Sequence, residues 1–153
     1  MMHGSPDERP GVRVRKSYHP PAARPAAVPA TDAERSAARR VLRDLALDAD
    51  ETRLMRVTVT PDQVMLRLPV GDREVFLACG PGEPEPVLAW RFADQLQEYV
   101  LESGGPPRPP CPAHGHPLSP DIDPTGAWWT CPEGREHAAV RVGELSADSA
   151  GNA

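Results

Sequence analysis

Two short clusters toward the C-terminal end hold most of the side chains able to grip a metal ion. Cys111-Pro112-Ala113-His114-Gly115 is answered by Cys131-Pro132 and, six residues past Cys131, by His137. Thiolate sulfur and imidazole nitrogen together make the donor set of a closed tetrahedral zinc site. The step from Cys111 to His114 has a proline inside it and a glycine just after it. It lets backbone amides curl around one thiolate while a second ligand reaches the same ion. The expected ligands are therefore Cys111, His114, Cys131 and His137, with His116 and Glu136 as alternative ligands or as groups that orient one. A pair of free thiols with no ion is the bland alternative. A catalytic alternative also stands, because His114, His116, Asp121, Asp123, Glu133 and His137 crowd one segment. An open zinc site would need three protein ligands, a water and a general base. Paired cysteine knuckles favour a closed structural site, so no catalytic residue is assigned. A phosphate-cradling glycine loop and a nucleophile elbow are both lacking elsewhere.

On these knuckles, residues 111–145 resemble a zinc ribbon, in which Cys-Pro-x-Cys-Gly turns flank a β-hairpin. Here His114 stands at the second ligand position and Gly115 is kept. The resemblance implies a structural zinc ion and hairpin strands at Pro117-Leu118 and from Ala127 to Thr130, joined around Asp123-Pro124-Thr125-Gly126. A third strand would follow over residues 138–145. The fourth ligand departs from the ribbon pattern: Glu133 and Gly134 occupy its usual places, leaving His137 next in line. Many zinc ribbons bind nucleic acid, but this one sets Arg135 and Arg141 against Asp121, Asp123, Glu133, Glu136 and Glu144, a net of −3. That balance opposes phosphate contact. Trp128 and Trp129 point to opposite faces of a strand. One is expected in the core and the other exposed, or docked with Trp90 and Leu101, as an interaction surface rather than a base-stacking platform.

The elements that must hold this clip can be read backward along the chain. Pro106-Pro107-Arg108-Pro109-Pro110 predicts an extended, semi-rigid linker. Before it, residues 87–103 predict a helix whose apolar face carries Leu88, Ala89, Phe92, Ala93, Leu96, Tyr99 and Val100, stopped by Gly104-Gly105. Trp90 and Leu101 project from its polar side. Three short strands precede it: residues 55–59, where Met55, Val57 and Val59 alternate with Arg56 and Thr58, then 64–68 and 74–79. Turns at Thr60-Pro61-Asp62-Gln63 and around Gly71 make them an antiparallel meander. Cys79 ends the third strand as a small buried hydrophobe.

Thr31 and Glu34 predict a capping box that opens a helix with Ala37, Ala38, Val41, Leu42 and Leu45 on one face. Arg35, Arg39 and Arg43 line its back as candidate phosphate contacts or, more simply, as a solvated face. Residues 1–30 carry five basic groups against two acidic ones and almost no bulky apolar groups, so a disordered tail is expected there. Residues 146–153 form a second tail.

The chain has 153 residues, 20 of them proline, and a formal net charge of −5. It contains no apolar run long enough to span a bilayer and no secretory h-region at its start, so a cytoplasmic setting is expected. Cysteines in that compartment serve as thiols or metal ligands. As a whole the chain resembles the short proteins of GC-rich bacteria, a likeness that implies no activity. The expected fold is α+β: an α-β-β-β-α domain over residues 31–105, the linker at 106–110, and a zinc-ribbon-like β module at 111–145. The expected function is a small, non-enzymatic protein-interaction or regulatory protein with structural zinc and a protein partner, and no membrane partner. The alternatives are a nucleic-acid-associated zinc-ribbon factor and a metal-dependent hydrolase.

Overall fold

A computed structural model describes residues 27–145 of the chain. The expectations for residues 1–26 and 146–153 lie outside the described residues. The fold is mixed α and β: two α-helices, a four-stranded antiparallel sheet and a three-stranded antiparallel sheet among the described residues.

Helix α1 (Asp32–Asp44) starts where Thr31 and Glu34 close a capping box, each side chain meeting the other residue's amide. It ends in a Schellman turn: the Ala46 amide donates to the Arg43 carbonyl and the Leu47 amide to the Leu42 carbonyl. Ala46 takes the left-handed conformation there, at φ +50°. Helix α2 (Glu85–Glu102) begins two residues before the expected start, because Pro84 caps it and a proline is tolerated in the first turn.

The first sheet has the order β1-β2-β3-β4, from Val28–Pro29, Met55–Val59, Val64–Val70 and Arg73–Cys79. Strand β1 corrects the expected tail: residues 27–30 are part of the fold. Val28 pairs with Arg56, and the buried Ala30 donates its amide to the Leu54 carbonyl at 3.2 Å. Strands β3 and β4 join through Gly71 and Asp72, with Gly71 at φ +60°, the conformation a two-residue hairpin turn asks of its first residue. Their inner faces, Val64, Leu66, Leu68, Val75 and Leu77, are buried.

Strand β2 departs from the simple alternation. A bulge between Arg56 and Thr58 leaves Val57 as the extra residue. Cross-strand partners share a face, so Arg56, opposite Leu66, points inward and Met55, opposite Arg67, points outward. Arg56 thereby reaches the buried Glu34 on α1, 2.8 Å away. Val59 returns to the inner side at the strand's end but remains 54 % exposed.

The second sheet, in the order β5-β6-β7, is built from Ser119–Asp123, Gly126–Thr130 and Ala139–Arg141. The hairpin turns at Pro124 and Thr125, as expected, but its first strand starts later than Pro117-Leu118, and the third is shorter than residues 138–145. Helix α2 touches α1, β4, β5 and β6, so it is the wall the two sheets share. One continuous core runs from Ala37 and Phe92 to Leu118, Trp129 and Val142.

This continuity corrects the expected spacer. Residues 106–110 do not hold two modules apart, because the segment is bound at several points. The Gln97 side chain donates to the carbonyls of Arg108 and Leu118, the Leu118 amide donates to the Pro109 carbonyl, and Arg108 donates to the Leu45 carbonyl. A proline-rich stretch has few amide donors of its own, but its carbonyls still need partners when buried.

Candidate metal centre

The first knuckle closes on itself. The Cys111 amide donates to the His116 carbonyl at 2.7 Å, and the Gly115 amide donates back to the Cys111 carbonyl at 2.8 Å. Gly115 sits at φ +74°, where a side chain would strain the backbone, and that turn swings His116 back over Cys111. The second knuckle leaves β6 at Cys131, whose amide donates to the Ala138 carbonyl. Both cysteines are buried and unpaired by any disulfide.

Between the knuckles, the donor atoms of Cys111, His114, His116 and Cys131 all lie within 4.8 Å of one another, and these four residues could hold a metal ion. His114 Nδ1 is 3.5 Å from the Cys111 sulfur and 3.4 Å from the Cys131 sulfur; His116 Nε2 is 4.0 Å from the latter. Ligands of one tetrahedral zinc, at bond lengths of about 2.3 Å to sulfur and about 2.0 Å to nitrogen, stand roughly 3.5 Å apart. The two His114 spacings match that geometry, and the His116 spacing is somewhat wider.

The outward nitrogens of both imidazoles are engaged. His114 Nε2 is 2.7 Å from Glu133 Oε2, and His116 Nδ1 is 3.2 Å from the Pro117 carbonyl oxygen. With an acceptor on the outer nitrogen, a neutral ring would carry its proton there and turn its inner nitrogen toward the sulfurs as a ligand atom. Burial raises the pKa of the Cys131 thiol, and the neighbouring Cys111 thiol adds to it, while the amides of Glu133 and Gly134 pull the other way.

His137 and Glu136 are placed differently from the expected ligand set. The chain turns after Cys131, with the Gly134 amide on the Cys131 carbonyl and the His137 amide on the Gly134 carbonyl. That path carries His137 outside the four-residue group, its ring tilted against His114 at a centroid distance of 4.9 Å and its Nε2 3.6 Å from Glu136. The competing residue, His116, stacks on His114 at 4.9 Å. The two ring separations are equal, but only His116, brought back by the knuckle's own hydrogen bonds, has a donor atom within the four-residue group; His137 follows a longer loop.

The other candidates are dispersed. Trp129 is fully buried, so it is no interaction surface: its indole N–H donates to Asp44 Oδ2 at 2.8 Å, across to the end of α1. Trp128 is half-buried, with the Arg135 and Arg141 guanidiniums 5.3 Å and 4.7 Å from its ring. Trp90 lies under Arg91, and Leu101 is 47 % exposed. Arg35 is held by Asp32 and the Ala30 carbonyl, Arg39 stands 3.9 Å from Glu51, and only Arg43 among the three lacks an acidic partner among the described residues. Cys79 is buried at the end of β4, and burial, helped by Glu34 and Glu83, pushes its thiol up to about 11, which leaves little nucleophilic thiolate at neutral pH.

Two groups with structural roles escaped the sequence reading. Glu133 stood in the sequence as a member of the catalytic alternative and as an intruder at a ligand position, not as the partner of His114. Asp44, an acid on the apolar stripe of α1 three residues after Val41, accepts from both Trp129 and the Gly143 amide; its place on that stripe was the available signal. No helix among the described residues is long and apolar enough to cross a membrane. No protein-family description, curated protein or solved structure matches the chain, so the metal-ligand geometry stands on its own residues.

Proposed function

We propose that Cys111, His114, His116 and Cys131 hold one zinc ion in a closed site, and that the ion staples a zinc-ribbon-like module onto the two helices of a non-enzymatic, cytoplasmic interaction or regulatory protein. The observation that carries the metal assignment is the pair of outer-nitrogen contacts, Glu133 on His114 and the Pro117 carbonyl on His116. Two thiolates with two imidazoles suit zinc and disfavour the hard cations, which prefer oxygen. When bound, zinc supplies a fixed tetrahedral crosslink between two loops that are twenty residues apart in sequence, counted from Cys111 to Cys131. Four protein ligands leave no position for an activated water, which supports a structural role over a hydrolytic one. Arg35 and Arg39 lie against acidic groups, and that supports a protein partner over nucleic acid.

Metal analysis of the purified chain tests the assignment. About one zinc per chain is expected, lost in Cys111→Ser and Cys131→Ser and strongly reduced in His116→Ala, because a three-ligand site binds far more weakly. His137→Ala should keep its metal. Zinc retained by His116→Ala and lost from His137→Ala would return the fourth position to His137.

A further inference from the structure

Strand β4 is an edge of the larger sheet, and part of that edge is open. The side chain of Gln95, on α2, imitates a strand at one point: it accepts from the Ala78 amide at 2.7 Å and donates to the Ala78 carbonyl at 2.8 Å. Those two groups therefore face away from β3. Backbone direction alternates along a strand, so the amides and carbonyls of Phe76 and Glu74 face the same way. Pro69, opposite Glu74, agrees with this register, since a proline is accommodated where no ladder bond to β4 is required.

Beyond Gln95 these groups look onto a groove of about 330 Å³ between β4 and α2. Its walls are Glu74, Val75 and Phe76 on the strand and Glu98, Tyr99 and Glu102 on the helix. Phe76 is 54 % exposed. Glu98 and Glu102, one helical turn apart, have no basic partner among the described residues, and Glu74 reaches Arg67 only at 4.0 Å. The groove thus combines an unpaired strand edge, an exposed aromatic ring and three carboxylates.

We propose that this groove takes an extended basic peptide from a partner protein, added to β4 as a fifth strand. The Phe76 and Glu74 backbone would supply the ladder bonds. Successive side chains of an added strand alternate between the two faces of the sheet. One set meets Glu98 and Glu102 on the helix side and the other lies beside Phe76 on the outer side. The matching ligand alternates basic and apolar residues. Gln95 already occupies the Ala78 groups, so the added strand ends there. The proposal rests on the interaction-protein reading above but not on the zinc ion, because the groove contains none of the four metal-ligating residues.

Fluorescence anisotropy on the full chain tests it, using a short labelled peptide of alternating valine and arginine as the probe. Saturable binding is expected. The Glu98→Gln/Glu102→Gln double variant, changed only on an exposed helix face, should weaken it roughly three- to tenfold, as the loss of two solvent-exposed charge pairs would. The same peptide N-methylated on alternate amides cannot form the ladder and should bind more than about tenfold more weakly. Equal binding of the methylated peptide would show attraction by charge alone and overturn strand addition; so would absence of saturable binding. The chain's own Val12-Arg13-Val14-Arg15 shows the same alternation. If Arg13→Glu/Arg15→Glu in the full chain tightens probe binding tenfold or more, the groove belongs to that segment and the partner assignment falls. Zinc content measured on the same preparations separates these outcomes from failure of the metal site.

Discussion

Asp44 shows how one residue can tie the smaller sheet to a helix. Its Oδ2 accepts from the Trp129 indole and from the Gly143 amide at 2.8 Å and 2.6 Å, while Oδ1 is buried without a partner. Burial, the largest influence, raises its pKa above the ordinary carboxylate value, against the opposing pull of the Gly143 and Trp129 donors. A raised folded-state pKa stabilises the fold fully below the unfolded value and loses that contribution as pH rises through the folded one. Asp44→Asn should therefore flatten the fall in stability from about pH 4 upward, read by thermal melts across pH. Asp44→Ala strands two buried donors and should cost about 2–4 kcal/mol, with a shift in Trp129 emission as the local check. Glu34 behaves oppositely. Burial pushes its pKa up, but the Arg56 fork and the Thr31 amide outweigh burial and the net shift is downward. Its contribution is present above the unfolded carboxylate value and is lost as pH falls through the folded one. Glu34→Gln should consequently blunt acid unfolding while lowering stability at neutral pH by about 1–3 kcal/mol.

Among the elements, α1 has a well-made start and a strained end. The Schellman turn after Asp44 places Ala46 at φ +50°, a conformation that costs an L-residue roughly 1–2 kcal/mol and glycine almost nothing. Glycine loses part of that advantage through the greater freedom of its unfolded chain. Ala46→Gly should still raise stability by about 0.5–1 kcal/mol in chemical denaturation, with an unchanged denaturant slope. A loss of stability would mean that the Ala46 methyl group makes packing contacts worth more than the relieved strain. The bulge in β2 follows the same logic at strand level: one extra residue turns Arg56 inward onto Glu34, so the irregularity serves the ion pair that anchors the sheet to α1.

At the scale of the molecule, the core does not divide at the proline-rich segment. Leu118, Ala127, Trp129 and Val142 of the smaller sheet are buried in the same cluster as Val41, Phe92 and Leu96. A metal bound at the knuckles would act on the whole described fold, since a ligand that binds only the folded state stabilises by about 2.7 kcal/mol at a hundredfold excess over its dissociation constant. Chelation should therefore lower the melting temperature by roughly 10 °C. Trp129 fluorescence and far-UV dichroism should then report one coincident transition. Loss of the tryptophan signal well before the helical signal would instead mark the smaller sheet as an independent appendix.

The sequence determined what depends on near neighbours. Thr31 and Glu34 announce the start of α1, the period-two runs mark β3 and β4, and the turn at Pro124 and Thr125 closes the hairpin; each is fixed by interactions within a few residues. It also named the stretch where metal donors gather. Tertiary structure alone decided which donors meet. The sequence favoured His137 and held His116 as an alternative, and the closure of the Cys111 knuckle and the path of the chain after Cys131 reverse that order. Likewise Trp128 and Trp129 are neighbours of one type, and a single carboxylate from a helix 85 residues earlier chose Trp129 for the interior. Contacts across such separations depend on the folded backbone of both partners, and no local pattern of residues encodes that.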